Sequence, residues 1–119
     1  MKVAVTSKGK TLDSQVDPRF GRAAYILVVD TETQAFEVMD NSENVNAFKG
    51  AGIQAATMIS EKGAKALLTG FCGPNAFKIL NAADIDVAND VNGTVKEAVT
   101  AFTRGDITIA DKANVEGHW

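Results

Sequence analysis

The second half of the chain alternates between helical and strand-like segments, and this alternation limits the folds open to it. Apolar residues recur at helical spacing over 50–62, from Pro74 onward and from Val95 onward, while short apolar runs fill 66–69 and 85–88. Strands that are joined by helices lie parallel, and each connection crosses over in the right-handed sense. The sequence after residue 50 therefore predicts an α/β fold in which helices cover parallel strands.

The first half of the chain adds an antiparallel hairpin to this pattern. Residues 2–6 and 24–30 are short apolar runs, and 35–40 alternates in a way that suits a hairpin partner of the run before it. Added to the later units, these strands give a mixed five-stranded sheet flanked by helices. At 119 residues the chain fits one domain. We predict a single α/β domain over 1–105, compatible with a ribonuclease-H-like arrangement, followed by a C-terminal tail over 106–119.

A polar loop separates the first two strands and ends in Val16-Asp17-Pro18-Arg19-Phe20-Gly21-Arg22. Long loops inside compact domains are often functional. Residues 1–22 carry a charge of +3 and the remaining chain carries −6, so the loop is a positive site on an acidic protein. Such a distribution suits a small anion better than a long polyanion. We therefore expect an anion to bind near four cations, Lys8, Lys10, Arg19 and Arg22.

The two arginines on either side of Phe20 are open to two interpretations. They can bridge to Asp13 or Asp17 and only order a solvated loop, which is the more common role of basic side chains. In the second interpretation the guanidinium groups and an exposed Phe20 contact a ligand. The aromatic side chain and the glycine between the arginines favour the second interpretation.

Two glycine-rich segments open helices and should lie at the same edge of the sheet as the basic loop. They are Gly50-Ala51-Gly52 and Gly73-Pro74-Asn75, and Gly70-Phe71-Cys72 leads into the second. Loops that follow parallel strands gather at one edge, where ligands of α/β proteins bind. Backbone N–H groups at a helix N-terminus favour negative charge, although each glycine alone also fits a turn or tight packing. The residues from Ser7 onward and segment 89–93 are expected at the same edge.

The chain has one cysteine, Cys72, and one histidine, His118, and each is open to two interpretations. In its glycine-bounded turn Cys72 is either a thiolate ligand or a small buried apolar residue. His118 is either a metal ligand or a surface residue of the tail. A nucleophilic role for Cys72 is not expected, because the only histidine lies in the tail. A single cysteine also excludes a disulfide within the chain.

Several classes of function lack a basis in the sequence. No inward-facing cluster of carboxylates can be identified in the strands, as a metal-dependent nuclease would need, and no phosphate loop ending in Gly-Lys-Ser/Thr is present. The net charge of −3 argues against general nucleic-acid binding. The first residues run directly into a strand, and no apolar run is long enough to span a membrane. We expect a cytoplasmic protein that binds neither nucleic acid nor membranes.

These motifs together resemble one protein family. The core of the resemblance is Asp17-Pro18-Arg19-Phe20-Gly21-Arg22, and it continues through segments 50–56, 67–70, 73–80 and 95–99. The chain is similar over these segments to the dinitrogenase iron–molybdenum cofactor family. The resemblance implies a ribonuclease-H-like fold, no enzymatic activity, and a role in an anaerobe as carrier of a metal–sulfur cluster.

Within that family the chain is most similar to small stand-alone members that carry a molybdenum–copper sulfide cluster. Such a cluster brings its own sulfides, so the implied site offers cations, N–H donors and an apolar wall, and binding is non-covalent. The residues we assign to it are Ser7, Lys8, Lys10, Arg19, Phe20, Gly21, Arg22, Gly50, Gly52, Phe71, Cys72, Gly73 and Asn75, with Cys72 and His118 as candidate metal ligands.

Alternative functions stay open beside this one. The cargo can instead be an iron–molybdenum cofactor or its precursor, and in either case proteins that receive the cluster are the expected partners. Outside this family, the basic loop also suits a small enzyme acting on a phosphate ligand. The basic loop also suits a scaffold subunit that docks an acidic partner.

Overall fold

The computed structural model describes residues 1–41 and 51–110, which form a mixed five-stranded sheet with helices on both faces. The strands are β1 (Lys2–Ser7), β2 (Tyr25–Asp30), β3 (Phe36–Asp40), β4 (Ala66–Leu68) and β5 (Asp86–Ala88). The helices are α1 (Ala51–Glu61), α2 (Pro74–Ala82) and α3 (Val95–Thr103). The strand order is β3-β2-β1-β4-β5. Since β1, β4 and β5 are parallel and β2 is antiparallel to its neighbours, the predicted ribonuclease-H-like α/β fold is confirmed.

Helices bury both faces of the strands inside the sheet, and alternate strand residues point to opposite faces. Ala4 and Leu67 belong to the apolar cluster under α1 and α2, whereas Val5 and Leu68 belong to the cluster under α3. A strand that is covered on both faces needs apolar residues at every position, which explains why the middle of β2 contains no polar residue. Each fully buried valine or leucine stabilises the fold by about 1.5–3 kcal/mol.

Gly63 marks the end of α1, and Pro74 marks the start of α2. Gly63, after the end of α1, has a φ of +80°. Its N–H donates to Ser60 O at 3.0 Å and the N–H of Ala64 donates to Ile59 O at 3.2 Å, which together form a Schellman motif. Pro74 stands at the first position of α2, where a missing N–H costs nothing. No helix in the two described ranges combines the length and the apolar character needed to cross a membrane.

The edge strand β3 forms the predicted hairpin with β2 but is less buried than the strands inside the sheet. Met39 is buried in the cluster under α1 and α2. Phe36 and Val38 point to the other face and are exposed. The helix on that face, α3, packs against β1, which is two strands away from β3. The helix therefore leaves Phe36 and Val38 exposed.

The N-terminus of α3 is closed by the capping box that its sequence predicts. Thr94 Oγ1 accepts a hydrogen bond from Glu97 N–H at 3.1 Å, and Glu97 Oε1 accepts one from Thr94 N–H at 2.9 Å. The bonds from the backbone and side chain of Thr94 lower the pKa of the Glu97 carboxyl. This box fixes the start of α3 close to the sheet edge described below.

Thr94→Ala is expected to lower the free energy of unfolding by about 1 kcal/mol, because the mutant loses the N-cap oxygen. Thr94→Ser keeps that oxygen and serves as the matched control. Since the folded-state pKa of Glu97 is depressed, the stabilisation by its carboxylate is present above the unfolded-state pKa and is lost as the pH falls through the folded value. Urea unfolding followed by circular dichroism at neutral and acidic pH measures both effects. Equal stability of wild type and Thr94→Ala at neutral pH would contradict this role.

Candidate functional site

Two loops are bonded to each other at the edge where β1 and β4 end. We call residues 8–22 the basic loop and residues 69–73 the Phe71 loop. Arg19 and Phe71 form an isolated parallel bridge between them. The N–H of Phe20 donates to Phe71 O at 3.1 Å, and the N–H of Phe71 donates to Pro18 O at 2.6 Å. The backbone therefore places Arg19 and Phe71 next to each other.

Glycines make this close approach of the backbone possible. A Cβ atom on Gly70 would lie 2.7 Å from both Cα and O of Pro18. Gly21 has a φ of +91°, and a Cβ atom there would lie 2.7 Å from the backbone nitrogen of Gly52 in α1. Gly21 and Gly52, which the sequence assigned to ligand binding, are both buried. The alternative interpretation of tight packing accounts for both of them.

Phe20 is buried, and the expectation of an exposed aromatic side chain at this position was wrong. Only 1% of its surface is exposed, and it belongs to the cluster under α1 and α2. Burying a side chain of this size stabilises the fold by about 1.5–3 kcal/mol, so Phe20 anchors the basic loop in the core. The apolar wall at the edge is instead available from Phe71, which is 37% exposed.

The side chain of Arg19 stays at the surface although Asp17 lies beside it. Asp17 is buried, and its Oδ1 accepts a hydrogen bond from the Arg19 N–H at 3.0 Å. The same oxygen lies 3.8 Å from Arg19 Nε, while half of the arginine side chain remains exposed. An ion pair this long and this exposed contributes little stability. Asp17 therefore orders the backbone of the basic loop and leaves the guanidinium group accessible.

The other predicted cations also lie on the basic loop. Lys8 and Lys10 are exposed, and Arg22 is half-buried. Lys10 Nζ lies 5.5 Å from the centre of the Tyr25 ring, a cation–π contact with the first residue of β2. Lys8 and Lys10 thus expose their charge on a basic loop whose backbone is bonded to the sheet.

Ser7, just before the basic loop, and Cys72, in the Phe71 loop, are both buried. Ser7 is buried, and its hydroxyl donates to Gly9 O at 2.7 Å and accepts from Gly9 N–H at 3.2 Å, so it closes a turn. Cys72 is also fully buried, and burial raises the pKa of its thiol to about 12. Burial and the raised pKa both favour the interpretation of Cys72 as a small buried apolar residue over that of a thiolate ligand. Within 1–41 and 51–110, no group of three or more His, Cys, Asp and Glu side chains can hold a metal ion.

The N-terminus of α2 follows the Phe71 loop directly. Gly73 is the N-cap residue and no side chain caps the helix. The first intrahelical bond runs from Phe77 N–H to Gly73 O at 3.0 Å. The N–H groups of Asn75 and Ala76 therefore have no acceptor within the helix. Asn75 is exposed, so this end of α2 offers hydrogen-bond donors and a positive dipole close to Phe71.

Segment 89–93 reaches the same edge, as predicted, but opens onto a cavity of the opposite charge. Asp90 N–H donates to Gly70 O at 2.9 Å. The cavity, of about 530 Å³, lies between this segment, α3 and residues 106–108. Its lining includes Asp90, Glu97 and Asp106 and no basic residue. An anion is therefore expected between Arg19 and Phe71 and not in this cavity.

Asn41, which the sequence does not single out, also shapes the site. Asn41 is buried, and its Nδ2 donates to Gly21 O at 3.2 Å and to Ala23 O at 2.8 Å, which ties the end of β3 to the basic loop. The sequence carries no signal for this role, because the partners of Asn41 are 20 and 18 residues away. Gly50 and His118 lie outside the described residues.

The chain is similar to known proteins over most of its length. Residues 1–105 match the family of the dinitrogenase iron-molybdenum cofactor. The apo form of the orange protein from Desulfovibrio gigas is 46% identical, with 96% of each chain covered and a TM-score of 0.93. A Thermotoga protein provisionally described as a NifB protein is 36% identical over 98% of each chain, with a TM-score of 0.82. An uncharacterised protein of Methanocaldococcus jannaschii is 25% identical over 95 residues, which are 78% of this chain and 80% of the relative.

The thiol of Cys72 is expected to be unreactive in the folded protein. Its raised pKa keeps the thiolate fraction very low at neutral pH, and burial blocks access. Ellman's reagent should therefore label the native protein far more slowly than the protein in guanidinium chloride, and the single cysteine makes the signal unambiguous. Native labelling as fast as denatured labelling would show that Cys72 is accessible after all.

Proposed function

The chain belongs to the dinitrogenase iron-molybdenum cofactor family, and we propose that it binds and carries a preassembled molybdenum–copper sulfide cluster without catalysing a reaction. Membership of the family and the likeness to the orange protein support a cofactor-carrying role. The identity of the cargo is our inference from the resemblance. The observation that carries the proposal is the pairing of exposed Arg19 with exposed Phe71 at an uncapped helix N-terminus.

The described residues suit a cargo that arrives with its own ligands. A cluster whose sulfides already fill the coordination spheres of its metals is a bulky, soft anion. It needs cations, N–H donors to sulfur and an apolar surface, and it needs no cysteine or histidine from the protein. Arg19 supplies charge, the first turn of α2 supplies N–H groups and Phe71 supplies the apolar surface. The burial of Cys72 agrees with binding through the sulfides.

Charge is expected to provide much of the attraction. Residues 1–22 carry +3 while the rest of the chain carries −6, so an anionic cluster is attracted to one edge and repelled elsewhere. Lys8, Lys10 and Arg22 belong to the same basic loop as Arg19 and add to its positive charge. A non-covalent hold of this kind also lets the cargo leave intact, which suits delivery to a protein partner.

The alternative cargo, an iron–molybdenum cofactor or its precursor, is also a metal–sulfur anion. Metal analysis of protein purified without oxygen from its native source separates the two, because one cargo gives molybdenum with copper and the other molybdenum with iron. Colourless protein that contains no metal would argue against carriage. Phosphatase or nuclease activity that disappears in Asp17→Asn would instead favour an enzyme.

Arg19→Ala combined with Arg22→Ala is expected to impair retention of the cluster while the fold survives, because the cluster loses two positive contacts. The protein is mixed with tetrathiomolybdate and Cu(I) without oxygen, passed over a desalting column, and assayed by visible absorbance and metal content. Lys96→Ala combined with Arg104→Ala removes the same charge from exposed positions at α3 and is the matched control. The single variant Arg19→Ala, at an exposed position, tests the site if the double variant unfolds. Undiminished retention in both arginine variants would move the site elsewhere.

Retention of the cluster is also expected to fall as salt is added. Raising the ionic strength from about 0.05 M to about 0.5 M shortens the screening length from about 14 Å to about 4 Å, so attraction by charges that do not touch the cluster is weakened. The half-life of the coloured complex after dilution into each buffer measures this effect. A half-life that does not depend on salt would mean that apolar contact and hydrogen bonds dominate the binding.

A further inference from the structure

Two threonines with fully buried side chains lie where β1 and β4 lead into the basic loop and the Phe71 loop. Thr6 is near the end of β1, and Thr69 directly follows β4. Because Val5 is paired with Leu68 in the parallel register, the next residues of the two strands, Thr6 and Thr69, stand side by side. Both have 0% exposure, so their hydroxyl groups must find hydrogen-bond partners inside the protein.

Each threonine hydroxyl has one proton, and this decides which of the two donates to the other. Thr6 Oγ1 lies 2.6 Å from the backbone oxygen of Asp17 and 2.9 Å from Thr69 Oγ1. A carbonyl oxygen can only accept, so the single hydroxyl proton of Thr6 goes to Asp17. Thr6 Oγ1 must then accept the hydroxyl proton of Thr69. The result is a directed chain from Thr69 through Thr6 to the Asp17 carbonyl, and bonds in such a chain polarise and strengthen each other.

Both ends of this chain lead to the candidate site. At one end, Asp17 accepts the N–H of Arg19 at 3.0 Å and lies 3.8 Å from its Nε. At the other end, Thr69 is the first residue of the loop that carries Phe71. The pairing of β1 with β4 and the bond from Asp17 N–H to Thr6 O at 2.9 Å do not depend on the hydroxyls. Loss of the chain should therefore loosen the two loops relative to each other without unfolding the sheet.

We propose that Thr6 and Thr69 are positioning residues, which act through Asp17 to hold Arg19 and Phe71 at the separation that the cargo requires. The proposal rests on the proposed function, since it assigns a role at the same site. It differs from a general contribution to stability because it depends on one hydroxyl, which Ser can restore and Val cannot.

The first test measures how long the cargo is held. Thr69→Val removes the hydroxyl at almost constant shape, and Thr69→Ser restores it. Thr103→Val is the matched control, because its hydroxyl donates to Val99 O at 2.8 Å within α3 and touches neither loop. With tetrathiomolybdate and Cu(I) as the probe, loss of colour should be about tenfold faster in Thr69→Val, the effect of one strong hydrogen bond, and close to wild type in the other two. Unchanged loss of colour in Thr69→Val, or an equal defect in Thr69→Ser, would overturn the proposal.

The second test needs no cargo and separates this proposal from the proposed function. Hydrogen exchange of the Phe20 and Phe71 amides reports directly on the bonds that join the two loops. These amides should exchange faster in Thr69→Val than in wild type, Thr69→Ser and Thr103→Val. If wild type retains no colour but this exchange pattern is found, the proposed cargo is wrong and the positioning by the threonines stands. Equal exchange in all four proteins would overturn the positioning role whatever the wild type binds.

Discussion

The candidate site depends on one contact, the approach of the Gly70 backbone to Pro18. A side chain at residue 70 would meet backbone atoms at 2.7 Å, so the two loops can come this close only where a glycine stands. The approach allows the paired bonds from Phe20 N–H to Phe71 O and from Phe71 N–H to Pro18 O. Those bonds place a surface arginine and a surface aromatic ring in adjacent positions, which neither loop does alone.

The fold could be predicted in detail because its signals are local and periodic. The spacing of apolar residues gave the helices, and specific residues marked their ends, such as Gly63 after α1 and Thr94 before α3. The strand pattern also predicted a mixed sheet, because a hairpin precedes alternating helices and strands. Only the exposure of the edge strand β3 could not be predicted from the sequence, because it depends on how far α3 extends across the sheet.

The candidate site could be predicted only as a region. The basic loop, segment 70–75 and segment 89–93 do meet at one edge, as strand topology requires. A loop has no periodicity, however, so the sequence does not say which side chains turn inward. Phe20 and Cys72 were assigned to the ligand, and the structure places both in the core. The buried hydroxyls of Thr6 and Thr69 gave no signal at all, because their partners are distant in sequence.

Within Arg19-Phe20-Gly21-Arg22 some residues hold the fold and others are exposed, and this difference affects how proteins with this fold evolve. Phe20 and Gly21 are held by the core and by α1, so selection for folding alone suffices to preserve them. Arg19, by contrast, is exposed, and replacing it costs the fold little. During evolution the surface charges beside the buried Phe20 can therefore change, and the binding specificity can change with them, while the domain stays folded. The fold is thus conserved while the binding specificity changes.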